Sequence, residues 1–179
     1  DIIIFIHTTN SNYGFYKICN KNAMDYAALN GNLEIIKWLD TNRMEGCSNI
    51  ALYNACKRGH FEVVKWLYKY KSEGYKYTNK AMDYAAGNGY LKIVTWLHIN
   101  RIEGCGKKAM NIAAERGYLP VVEFLHINRE EGCTIAAIDN AAKHGYLYII
   151  IWLHNHRKEG CTNAAMDNAA NNGCMHVVK

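Results

Sequence analysis

The stretch AMDYAALNGNLEIIKWL at residues 23–39 returns, with substitutions, five more times along the chain, the last copy cut short. Its glycine marks the period: Gly31, Gly59, Gly89, Gly117, Gly145 and Gly173 stand 28, 30, 28, 28 and 28 residues apart. Small residues precede each glycine by four and three positions, from Ala27 and Ala28 through Ala55 and Cys56 to Ala169 and Ala170. Seven residues after the glycine comes an aromatic (Trp38, Trp66, Trp96, Phe124, Trp152), and further on Glu-Gly, from Glu45-Gly46 to Glu159-Gly160. Self-similarity at a fixed short period is the mark of a solenoid, in which each unit buries its apolar face only against its neighbours.

Each unit reads as two helices. Asn20, Ser48, Thr78, Gly106, Thr134 and Thr162 share one register, and all are residue types preferred at a helix N-cap. Leu52, Ala55 and Cys56 then follow helical apolar spacing, with small side chains that allow a neighbouring helix close. Gly59 ends that helix as a glycine at C′ does. A second helix over 61–70 presents Phe61, Val63, Val64, Trp66 and Leu67, and Pro120 falls at the tolerant start of its equivalent. The expected fold is therefore all-α: a solenoid of helix-turn-helix units joined by short loops. It comprises a partial unit at 1–22, units at 23–50, 51–80, 81–108, 109–136 and 137–164, and a partial unit at 165–179. The run Ile4-Phe5-Ile6-His7 matches Ile151-Trp152-Leu153-His154 and reads as the end of a repeat helix, not a signal peptide. Neither end carries a polar capping unit, so a longer array is expected.

Half of the residues are hydrophobic, enough for a real core, and the formal charge of +5 is too mild for a dedicated nucleic-acid binder. No apolar run approaches the roughly 18–20 residues of a membrane helix. Of seven cysteines, Cys47, Cys105, Cys133 and Cys161 share one register. Helices of successive units pack about 8–10 Å apart, beyond the roughly 4.4–6.8 Å that bridged α-carbons need. The thiols are expected to stay unpaired, in a reducing compartment such as the cytoplasm.

The string Gly59-His60-Phe61-Glu62-Val63-Val64, following Ala55 and Cys56, closely resembles the ankyrin repeat, and the resemblance covers essentially the whole chain. Two departures stand out. The family's Thr-Pro-Leu-His becomes Ala165-Met166-Asp167 or a relative, and the period is 28 instead of about 33. With both helices intact, the deletion must fall in the inter-repeat β-finger. This tryptophan-bearing, short-finger version looks like the arrays of giant DNA viruses and some protists.

The ladders have structural readings. The aromatic ladder lies among Val and Leu and reads as packing. His98, His126 and His154 recur one per unit, too far apart to converge within about 2.0–2.3 Å of one metal ion. Asp25, Asp83, Asp139 and Asp167 are likewise spread and cannot pair for acid–base work. Arg43, Lys71, Arg101, Arg129 and Arg157 each precede a glutamate by two, and are expected to form a solvated stripe of pairs between repeats.

Positions that vary between units are free of the shared packing constraint. The resemblance implies that the two residues before each glycine, and those after the N-cap, face a concave groove. These positions hold Lys21, Lys57, Arg58, Lys107, Arg116 and Lys143 against Glu115 alone, a balance of +5. Asn88 and His144 share them. Between Gly74 and Ala81 two extra residues fall in a tyrosine- and lysine-rich loop, making Tyr75 and Tyr77 contact candidates. The resemblance implies a non-catalytic scaffold that binds an acidic protein surface through Lys57, Arg58, Asn88, Lys107, Arg116, Lys143, His144, Tyr75 and Tyr77. No cofactor, metal, small-molecule substrate or membrane is expected, and a monomer is. The alternatives are a basic solenoid that binds nucleic acid and a spacer or targeting segment for another domain.

Overall fold

A computed structural model describes residues 20–71, 78–100 and 104–178. Among them run twelve helices and no strand. The first helices of the units are α1 (Asn22–Leu29), α3 (Asn49–Arg58), α5 (Lys80–Ala86), α7 (Lys107–Glu115), α9 (Ala136–Lys143) and α11 (Asn163–Asn171). Their partners are α2 (Leu33–Asn42), α4 (Phe61–Lys71), α6 (Leu91–Asn100), α8 (Leu119–Asn128), α10 (Leu147–His156) and α12 (Met175–Val178). The expected helix end at Ile4–His7, the Tyr75/Tyr77 loop, Arg101 with Glu103, Cys19 and the Lys71 side chain lie outside the described part.

The sequence explains the stacking. Each first helix turns small residues to its neighbours on both sides: Ala51, Ala55 and Cys56, then Ala81, Ala85 and Ala86, then Ala109, Ala113 and Ala114, all buried. Successive first helices therefore lie in close contact along the whole row, while successive second helices touch at only a few points. The second helices carry the larger residues: Leu67, Leu97, Leu125 and Leu153 are almost fully buried, each burial stabilising by about 1.5–3 kcal/mol. One continuous core runs from Met24 to Leu153. The aromatic ladder is half-buried against that core, as its Val and Leu neighbours implied. Three of its rings also meet the preceding repeat edge-on: Tyr68 on Trp96 at 5.0 Å, His98 on Phe124 at 5.6 Å and His126 on Trp152 at 5.1 Å. His98 and His126 thus serve packing, whereas His154 is exposed.

Between units the described links are short and extended. Arg43, Arg129 and Arg157 leave their helices in the β region, and the next first helix starts within a few residues. This is the missing-finger arrangement that the 28-residue period implies.

Candidate interaction surface

Deciding which polar residues are available to a partner requires knowing which hold the stack together. The glycine register is the first seam. Gly59 has φ +80°, and a Cβ placed on it would lie 2.5 Å from the ring of Tyr90 in the next unit. Gly89 has φ +78° and the same relation to Tyr118 at 2.7 Å. Glycine is required twice over, by the left-handed backbone and by the ring lying on it. At Gly31 the covering group is His60, whose Nε2–H donates to the Leu29 carbonyl at 3.0 Å.

The aspartate register is the second seam. The buried carboxylate of Asp25 accepts from the N–H of Ser48 (2.9 Å) and from its hydroxyl (2.6 Å), while the same hydroxyl accepts from Ile50 N–H. Asp139 repeats this with Thr162 at 2.9 and 2.7 Å. Asn111 does so in amide form with Thr134. Each carboxylate therefore anchors the N-cap 23 residues later. Where the loop is two residues longer, Tyr53 replaces the acid and its longer side chain reaches the Thr78 hydroxyl at 3.1 Å. Asp83 meets Gly106, which offers its N–H at 2.6 Å but no hydroxyl. Burial raises the Asp83 pKa, against the opposing pull of that N–H and of the nearby Lys108 cation.

The arginine register corrects the expectation of a solvated stripe between repeats. Arg43 binds Glu45 within its own loop, as Arg129 binds Glu131 and Arg157 binds Glu159, each through two nitrogens. The reason is local: in an extended segment, residues two apart point to the same side. These side chains are only 14–28 % exposed. The neighbour is reached by the glutamates, since Glu131 accepts from the N–H of Cys105 and Glu159 from that of Cys133, and at Arg157 also by Nη1, which donates to His126 Nδ1 at 3.5 Å. Hydrogen bonds from Arg157 hold Glu159 at about 2 against the effect of burial. For Glu131, burial pushes upward but Arg129 and the Cys105 N–H outweigh it, again giving about 2. Burial pushes the thiols of Cys105 and Cys133 to about 12 and 11, so they stay protonated and unreactive. All six described cysteines are free thiols.

What remains exposed is the outer ridge of the first helices. Lys57 and Arg58 end α3, Lys107 opens α7 and Lys143 ends α9; all four are exposed. Among the described residues, no hydrogen bond or ion pair engages their side-chain cations. His144 is exposed beside Tyr146. Arg116 is different: its Nη1 donates to the Gly87 carbonyl at 2.8 Å and to Asn88 Oδ1 at 2.9 Å, which joins two of the sequence candidates across one seam. Glu115, the acid among these positions, accepts from Asn140 at 3.2 Å. The face also exposes apolar surface at Tyr26, Ile50 and Tyr84. Tyr75 and Tyr77 are outside the described residues.

No group of three or more His, Cys, Asp or Glu side chains among the described residues is placed to hold a metal ion. No described helix is long and apolar enough to cross a membrane. The sequence reading missed the carboxylate–cap seam and the ring over Gly31, Gly59, Gly89 and Gly117. Both left a signal: a 23-residue spacing from acid to cap, and His60, Tyr90, Tyr118 and Tyr146 following their glycines. A family model described as ankyrin repeats (three copies) matches residues 24–111. No curated protein matches the chain significantly.

Proposed function

The chain belongs to the ankyrin-repeat family, whose members are generally protein–protein interaction modules, and from that premise we propose that it is a non-catalytic scaffold binding an acidic region of a partner protein through the first-helix face. That is the face the family's architecture makes concave, and closer packing along the first-helix row bends a stack toward that row. One observation carries the reading. The arginines of the loops are bound by glutamates, whereas Lys57, Arg58, Lys107 and Lys143 stand exposed on one face without partners among the described residues. Cations on a rigid scaffold steer an acidic partner and lose little conformational entropy on binding. We place the protein in a reducing compartment such as the cytoplasm, as a monomer, from its unpaired thiols and its mixed surface charge.

The experiment is capture of partners from cells by the full-length protein and by a variant reversed at Lys57, Arg58, Lys107 and Lys143 to glutamate. Direct binding is then measured for each recovered partner. Loss of binding by the folded variant supports the reading; unchanged affinity for every partner sinks it. Binding to a mixed-sequence oligonucleotide that collapses between low and physiological salt would instead assign the face to nucleic acid.

A further inference from the structure

The exposed first-helix face is not uniform, and its central part carries apolar surface between cations. Tyr84 on α5 is 39 % exposed, and its ring rests at 6.0 Å on Tyr53, which is itself tied to Thr78. In the next unit, Ile112 leans over Gly87, with its Cγ2 only 2.9 Å from where a Cβ would be. Other units carry Lys57, Glu115 or Lys143 at the Gly87 register, so the ridge is lowered here. Lys80 lies one helical turn before Tyr84, Lys108 one turn before Ile112 and Arg116 one turn after it. Arg116 is already fixed by Gly87 and Asn88. An apolar floor held from beneath, bracketed by cations, is a pre-organised site for a short chain.

On the reading of the first-helix face as the binding face, we infer that the occupant is an extended acidic peptide segment bearing bulky apolar side chains, which cover Tyr84 and Ile112 while flanking carboxylates meet Lys80, Lys108 and Arg116. The spacing is set by geometry. Equivalent residues of successive units are about 10 Å apart. A polyproline-like strand advances about 3.1 Å per residue and repeats its facing side every third residue, so three residues cover one unit. The segment therefore places its two apolar residues three apart, with Asp or Glu on both sides.

The test is selection of random peptides of about 12 residues displayed on phage against the 179-residue protein, followed by titration of one synthetic peptide from the enriched set. The expected set carries two of Leu, Ile, Phe or Trp at three-residue spacing with acids on both flanks. Replacing Tyr84 by Ser, or Ile112 by Ser, weakens the titrated peptide about tenfold or more, as for anchors at an interface centre. Lys80→Glu with Lys108→Glu does likewise, and helical circular dichroism unchanged from the parent shows that the variants remain folded. Enriched acidic peptides that ignore the two Ser variants but are lost with Lys57→Glu and Arg58→Glu overturn this inference and leave the basic-face reading standing. Enriched peptides without acids, peptides indifferent to every variant, or no enrichment overturn both, as does displacement by oligo-dT.

Discussion

Two sets of cations occupy this molecule, and their difference teaches how to read its surface. The loop arginines Arg43, Arg129 and Arg157 recur in register, sit half-buried and are fixed by glutamates. The ridge cations Lys57, Arg58, Lys107 and Lys143 share their registers with Leu29, Gly87, Glu115 and other uncharged or acidic residues, lie exposed and have no ion-pair partner among the described residues. Charge by itself marks neither stability nor binding; regular recurrence with pairing marks the seam, and irregular charge without pairing marks the open face. The comparison is broken if ridge substitutions unfold the protein or seam substitutions leave it stable.

The largest effect is expected at the glycine seam. Gly89→Ala must hold φ near +78° and displace the Tyr118 ring, and should destabilise by about 3 kcal/mol or more in urea unfolding. Gly173→Ala has the same backbone but no atom within 4 Å of the added Cβ, and should cost only about 1 kcal/mol. Equal losses at the two sites would show that ring contact contributes nothing. Next comes Asp25→Ala, which strands the Ser48 N–H and hydroxyl and should cost about 2 kcal/mol.

Acid should act in two windows. His126 has its pKa lowered by burial, then by Arg157 and His156, so the folded state binds its proton less readily than the unfolded chain. Its contribution is lost as pH falls below 6.5. Glu131 and Glu159, held at about 2 against 4.5, stabilise fully above 4.5, and that stability is lost as pH falls toward 2. Asp83, with its pKa raised, works in the opposite sense on being protonated. Chemical denaturation across pH should show both slopes, and Glu159→Gln should flatten the lower one.

A smaller effect, of opposite sign, is expected where the seam is incomplete. Gly106 has φ −98°, open to any residue, and Gly106→Ser supplies the hydroxyl that Ser48 and Thr162 provide elsewhere. A Cβ there meets Asp83 Oδ2 at 3.1 Å, so the carboxylate must retreat from its 2.6 Å bond toward the 2.9 Å seen at Ser48. A gain of about 1 kcal/mol should follow. Last, Lys57→Gln with Arg58→Gln should change stability by less than about 0.5 kcal/mol, because no described residue hydrogen-bonds or pairs with those side chains.

The helices, caps and core were legible in the sequence because each is a local pattern: Ser48 and Thr162 cap as their register implied, and Ala55 and Cys56 are buried. Partnership was not legible. In a periodic chain, an arginine two residues from one glutamate is also near a neighbour's, and spacing cannot choose between them; the extended backbone at Arg43 does. For the same reason Asp25 looked idle, since its partner Ser48 had already been assigned to its own helix. The open face could be named from variable positions, but not the bracing of Arg116 by Asn88, because the two residues are 28 apart and belong to different units.

Tyr53 and its long link have a genealogical consequence. Each seam draws one half from one unit and one half from the next, at constant spacing. Copying any block of 28 residues, wherever the copy begins, therefore regenerates complete seams, and the array can lengthen or shorten by unequal recombination without adjustment. The unit spanning Tyr53 and Thr78 is an exception: its insertion and its tyrosine compensate one another and must be inherited together. A descendant that kept one without the other would carry a broken joint at that point of the stack.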